Sequence, residues 1–279
     1  MMSLLLSSVS ASAIIAATPP PSTEVTAVYK GTDYSGDNNY DPTLSFDEIG
    51  TYIIALYGAS GGAGGSDSPI TLLDAGGYPI IQIGTYESND YEEVTWGYVT
   101  ITTPGDYQLD FTHSSTSYRR GASNWLISSN VDLNNIEFFF ARGTGFSVDV
   151  PVKEDEVVLA AMSSRSGTVS MSGLDTVHMP STAYEGTDIF AVYSEHISVE
   201  ETKTIADTSV GTTNTRLIMA GVLLKPKPKE AHLYAHSFYA VLGNSNQAVS
   251  TSQHSLYAVL GQPENTAYTT NAATFVILE

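Results

Sequence analysis

Residues 94–113 read VTWGYVTITTPGDYQLDFTH. The first part, 94–102, is built from β-branched and aromatic residues, the types that fit a pleated, half-buried surface. The last part alternates: Tyr107, Leu109 and Phe111 fall on one side of an extended chain, Gln108, Asp110 and Thr112 on the other. Between them stands Pro104-Gly105-Asp106, which continues neither run and marks a turn. Strand, turn, strand is therefore the reading, with one face of the second strand set against a core.

The same pattern spreads in both directions. It predicts strands at 24–30, 51–57, 80–85, 94–102, 107–113, 122–128, 136–141, 145–150, 157–163, 168–172, 188–196 and 216–224. No amphipathic helix of about 12 residues or more is expected. Regularly spaced strands without helices predict an all-β fold, a β-sandwich or jelly roll. Composition agrees. Charged residues are only 15% of the chain against 42% hydrophobic, so the surface is clothed in hydroxyls rather than in lysine and glutamate.

Net charge is −19, and residues 1–118 hold one basic side chain, Lys30, against 14 acidic ones. Such a surface repels nucleic acid and anionic membranes, so neither is an expected partner. The chain has no cysteine, which excludes disulfides, thiolate-bound zinc, iron–sulfur clusters and thiol catalysis.

Three segments are expected. Residues 1–22 form an N-terminal arm ending in Pro19-Pro20-Pro21, a stiff spacer. The apolar stretch 1–17 suggests a leader, but it lacks a positively charged start, so the reading is an arm. No run reaches the roughly 18 apolar residues of a spanning helix. The sandwich domain covers 23–226. Residues 227–279 hold a linker, opened by Pro226-Lys227-Pro228-Lys229, and a repeat segment. In that segment His236-Ser-Phe238-Tyr239-Ala-Val241-Leu242-Gly recurs 18 residues later as His254-Ser-Leu256-Tyr257-Ala-Val259-Leu260-Gly, with seven of eight positions identical. A degenerate third copy holds Phe275 and Ile277. Each copy reads as one strand, which cannot bury itself and must pair with a sibling, the body or another chain. The named residues are the assembly candidates.

The chemical motifs are weaker. Gly58-Ala-Ser60-Gly-Gly62 matches a nucleophile elbow, and Gly58 to Gly64 matches a dinucleotide loop. Both need a helix directly after the glycines. Gly65-Ser-Asp-Ser-Pro69 cannot start one, so the expected role is a glycine-rich loop. Asp33, Asp37 and Asp41 alternate with other oxygen-bearing residues in the manner of a calcium loop, without EF-hand spacing. Calcium is thus the one cofactor left open, against an Asx-rich surface turn. Glu87, Asp90, Glu92 and Glu93 raise a glycosidase-like carboxylate pair, but a solvated acidic loop is the expectation. His232, His236 and His254 lack tight metal-ligand spacing. Arg119-Arg120, the one basic doublet, is expected to be a salt-bridge donor or a turn rather than an anion site. No catalytic residue is assigned, and the chain is read as non-enzymatic.

The body resembles the β-sandwich modules of tailed-bacteriophage virion proteins. The resemblance is carried by Gly50-Thr-Tyr-Ile-Ile-Ala-Leu56, Thr71-Leu-Leu73, Trp96-Gly-Tyr98, the threonine-rich 107–114 and the arginine-led 119–127. A second half starts at Asp155-Glu-Val-Val-Leu-Ala-Ala161, and Leu217 to Pro226 closes the module. Ser252-Gln-His-Ser-Leu-Tyr-Ala-Val-Leu260 is similar to the Ser-Gln-Leu-Tyr-Val-Glu-Val-Leu repeats at the ends of some phage structural proteins, with Ala replacing Val-Glu. The resemblance implies a virion structural protein of tail or tail-fibre type, located in the virion, partnered by itself and other virion proteins, with a host surface glycan or receptor as a further partner. A capsid decoration or head-fibre protein is the close alternative. A secreted carbohydrate-binding module or adhesin is the second.

Overall fold

The computed structural model describes residues 24–35, 41–60, 70–87, 92–112, 118–164, 167–184, 188–212, 217–228, 256–257 and 274–275. The chain divides into two units, Met1–Lys227 and Pro228–Glu279. Among the described residues every regular element is a strand.

The first unit is four layers of antiparallel sheet. In the N-terminal half, β1 (Ala27–Ser35), β9 (Tyr118–Ile127), β3 (Gly50–Ser60), β7 (Glu92–Ile101) and β6 (Ile81–Glu87) form an inner sheet in that order. An outer sheet runs β2 (Thr43–Phe46), β8 (Gly105–Thr112), β4 (Thr71–Ala75) and β5 (Tyr78–Pro79). In the C-terminal half the inner sheet is β10 (Glu137–Arg142), β17 (Leu217–Leu224), β12 (Val157–Ser164), β15 (Asp188–His196) and β14 (Thr176–Tyr184). Its outer sheet is β11 (Ser147–Val152), β16 (Glu201–Asp207) and β13 (Met171–Ser172). Pairing is nested: β1 with β9, β2 with β8, β3 with β7, as if one long hairpin had been rolled up.

Three apolar interfaces hold the layers. Leu44, Phe46, Leu72 and Leu109 of the N-terminal outer sheet meet Tyr52, Ile54 and Leu56 of β3. Val150, Val152 and Ile205 meet Val158, Ala160 and Met162 of β12. Between the inner sheets lie Ile53, Tyr57, Trp96 and Trp125 from one side and Leu159, Ala161, Phe190 and Val222 from the other. A strand in an inner sheet is thus covered on both faces. That is why β12 and β17 read as unbroken apolar runs and are buried at every position, while β11, in an outer sheet, alternates.

The strands missed by the sequence reading have local causes. β16 is Glu-Thr-Lys-Thr-Ile-Ala-Asp, with only Ile205 fully buried, so it lacks an apolar signature. β14 contains Pro180, a residue confined to edges and irregular positions; β14 is an edge strand, and its register against β15 slips between Met179 and Thr182. β2 is four residues long and begins just after Pro42. The short β4 and β5 are joined by Gly76-Gly77, with Gly76 at φ 60° in the left-handed region that favours glycine.

In the second unit β18 (Leu256–Tyr257) pairs in parallel with β19 (Thr274–Phe275), Leu256 opposite Thr274 and Tyr257 opposite Phe275. The second repeat copy therefore pairs with the degenerate third.

Candidate functional site

Strand direction gathers polar groups at one end of the body. β3 ends at Ser60, opposite Tyr118 at the start of β9, while the neighbouring Ala59 faces Glu92 at the start of β7. β12 ends at Ser164, opposite Ile189 and Leu217. Both sets of ends lie on the same side, because the Ser163 hydroxyl donates to Glu92 Oε2 at 2.9 Å. This bond crosses the central interface and ties the two halves together. Both residues are fully buried.

Glu93 points the other way on β7, as the alternation of a strand requires. Its Oε1 accepts from the Ile70 amide at 2.5 Å and from the Thr95 hydroxyl at 3.1 Å. Arg120 of β9, buried, donates from a terminal guanidinium nitrogen to Asp41 Oδ1 at 2.7 Å, and its guanidinium lies 4.4 Å from the Phe111 ring centre. Asp33 Oδ2 accepts from the Thr43 amide at 2.7 Å. Buried carboxylates and a buried guanidinium are costly to desolvate, and these contacts return part of that cost.

A second polar feature runs into the central interface from β1. Hydroxyls link Tyr29 to Thr32 at 2.5 Å, Thr32 to Ser123 at 2.5 Å and Ser123 to Tyr57 at 3.0 Å. Burial pushes the Tyr57 phenol well above its ordinary range, so it stays protonated and hydrogen-bonding. His178 stacks on Tyr29 with ring centres 4.3 Å apart, and its Nε2 lies 2.6 Å from the Ser194 hydroxyl. Burial lowers the His178 pKa, favouring the neutral imidazole. The indole nitrogens of Trp96 and Trp125 are buried nearby without a hydrogen-bond partner, the rings stacked at 5.6 Å.

The sequence candidates fall as follows. The strand before the glycine-rich stretch runs three residues further than expected, so Gly58, Ala59 and Ser60 are paired extended backbone. A nucleophile elbow needs its serine on a sharp turn into a helix; Ser60 is the last paired residue of β3, opposite Tyr118. Residues 61–69 lie outside the described residues. The acidic cluster is corrected: Glu92 and Glu93 are not on a solvated loop but inside β7, buried on its two faces, because each finds hydrogen-bond donors there. Glu87 ends β6 opposite Glu93, and Asp90 lies outside the described residues. Arg120 donates the expected salt bridge.

Of the calcium candidates, Asp33 holds the Thr43 amide, Asp41 holds Arg120, and Asp37 lies outside the described residues. Among the described residues no group of three or more histidine or acidic side chains is arranged to hold a metal. Of the assembly candidates, Leu256, Tyr257 and Phe275 belong to β18 and β19; His236, Phe238, Tyr239, Val241, Leu242, His254, Val259, Leu260 and Ile277 lie outside the described residues. The Ser163–Glu92 tie and the Tyr29-to-Tyr57 chain were missed. Lone serines and threonines in strands carry no signal of their partners.

No family model, no curated protein and no solved structure matches this chain.

Proposed function

We propose that this chain is a non-enzymatic structural component of a bacteriophage virion, a tail or tail-fibre protein assembled through its terminal segments. The observation that carries this reading is in the second unit: the strand of one repeat copy pairs with the strand of another. Two strands of two residues cannot sustain themselves in water. Strand edges carry backbone amides and carbonyls that suit addition of further strands from neighbouring subunits. The body supports the reading more generally. Its polar groups at the strand ends are engaged with each other and with backbone, as befits a rigid module. The nested pairing in each half supports the jelly-roll form of the sandwich. A capsid decoration or head-fibre protein is the alternative placement within the same class.

Immunogold electron microscopy tests this, with an antibody against residues 231–279 on particles from the source of the chain. A second antibody against the exposed 198–201 turn guards against an epitope hidden by strand pairing. Gold on tails supports the proposal, and gold on heads selects the decoration alternative. Antigen absent from particles by both antibodies, and present at the cell surface or in the medium, refutes it and favours a secreted adhesin.

A further inference from the structure

The two halves of the body have the same connectivity. Taking β1 to β10, β2 to β11, β3 to β12, β4 to β13, β6 to β14, β7 to β15, β8 to β16 and β9 to β17 maps both sheets of one half onto both sheets of the other, and only β5 has no counterpart. The match extends to single residues. Setting Ala55 on Ala161 sets their cross-strand partners Trp96 on Val192 and Ser123 on Ala220. The edge strands then slip register at the same place: Ile83 is the extra residue in β6 and His178 in β14. Burial follows the same superposition. Leu44 and Val150, Phe46 and Val152, Leu109 and Ile205 each lie under their own outer sheet.

The inner sheets stack as a two-fold axis along the strands would place them. β3 lies on β12. β7 lies on β17 and β9 on β15; β6 lies on β10 and β1 on β14. Exchanging the halves turns β3–β12 into itself and the other four contacts into one another, as in an isologous interface; β7 also touches β12 and β6 also touches β17 without contacts of like extent between β15 and β3 or β14 and β9, so the two-fold is approximate.

We propose that residues 24–128 and 137–224 are two copies of one sandwich and that the central interface is a dimer interface, each copy being the other's partner. The connection 129–136 makes the pair permanent, while each copy carries its own core. The side chains have diverged so that the pair prefers itself. Trp96 and Trp125 of one copy correspond to Val192 and Val222 of the other, so bulk on one sheet meets smaller residues on the facing one. Two N-terminal copies together would crowd four indoles into the same space.

The experiment uses the full chain with a protease recognition sequence inserted between Asn134 and Asn135, both exposed. After cutting, the two pieces are followed in urea by tryptophan emission and far-ultraviolet circular dichroism. Both tryptophans of the chain lie in the central interface, so emission reports separation of the halves. The expected result is two transitions. The first, a red shift in emission with the β signal kept, moves to lower urea when the protein is diluted tenfold. The second, loss of the β signal, does not depend on concentration. A single transition in which both signals change together overturns the proposal, because the halves would then have no folded existence apart. So does a first transition unmoved by dilution, because no dissociation would underlie it. A Met162→Glu variant, changed inside the C-terminal core rather than at the interface, serves as a second check. It should bring the loss of β signal to lower urea for the 135–279 piece only.

Discussion

Replacing Ser163 with alanine removes the hydroxyl that donates to Glu92 across the central interface at 2.9 Å. Both residues are fully buried, so water does not take the place of the lost donor. A hydrogen bond to a charged group contributes about 1.5–3 kcal/mol net. Ser163 is not the whole of the Glu92 environment, and the expected loss is placed near the lower part of that range, about 2 kcal/mol. For a body of this size each kcal/mol moves the melting temperature by roughly 2–4 °C, so Ser163→Ala should melt about 4–8 °C lower. The contribution of charge is isolated by a double-mutant cycle with Glu92→Gln. A neutral hydrogen bond contributes about 1 kcal/mol, so Ser163→Ala should cost about 1 kcal/mol less when Glu92→Gln is already in place. Urea titration of the four proteins gives all the terms. If Ser163→Ala costs the same in both backgrounds, the charge of Glu92 adds nothing to the bond; if it costs nothing in either, the hydroxyl does not tie the halves together.

Gly221→Ala should destabilise by about 1–3 kcal/mol or more in urea titration, since overpacking a closed core forces its neighbours to move. An added Cβ would stand 2.5 Å from the Leu159 carbonyl oxygen and 2.3 Å from the Phe139 ring, and the first of these is backbone that cannot step aside. Burial raises the Glu156 pKa above its ordinary 4.5, so this residue destabilises the fold increasingly as pH rises from that value through the raised one. Glu156→Gln keeps an acceptor for the Lys153 amide; the variant should be more stable than the parent at pH 7, and the gain should vanish below pH 4.5, read from melting temperatures at both. His178 has the opposite sense: its pKa is held below 6.5, so its neutral form stabilises the fold above 6.5 and that contribution is lost as pH falls through the lowered value. His178→Phe should therefore shrink the fall in melting temperature between pH 7.5 and the acid side of that transition, and an unchanged fall would remove His178 from the account.

Strand existence was largely legible because it rests on local chemistry. β7 (Glu92–Ile101) and β8 (Gly105–Thr112) are joined by residues 102–104, with Gly105 and Asp106 of the expected turn already paired in β8, and the β-branched and alternating residues there can do little else. Strand limits were less so. Gly58, Ala59 and Ser60 have no strand preference of their own; they are extended because Arg119, Arg120 and Tyr118 offer backbone partners beside them. Glu92 and Glu93 show the limit for the site. Two adjacent acids beside Asn and Asp read as solvated, and nothing nearby in the chain announces that Ser163 and Ile70 will supply donors. The 18-residue repeat near the C-terminus was visible because its residues are still identical. The larger repeat was hidden because Trp96 has become Val192 and Trp125 has become Val222, while the backbone pairing that relates them persisted.

The amino-acid sequence by itself determined that this chain is built from strands, since side-chain alternation, β-branching and turn residues act within a few positions. It also determined the excess of negative charge and the absence of thiol chemistry. Tertiary structure alone decided which strands share a sheet, that two pairs of sheets meet in a central interface, and that buried carboxylates at one end accept hydrogen bonds from other sheets and loops. Those outcomes depend on partners distant in the chain, as Ala27 opposite Ile127, or, as for Ser163 and Glu92, on the far side of an interface. Hydrogen bonding and apolar packing act through space, and the one-dimensional pattern does not record where each strand finds its neighbour.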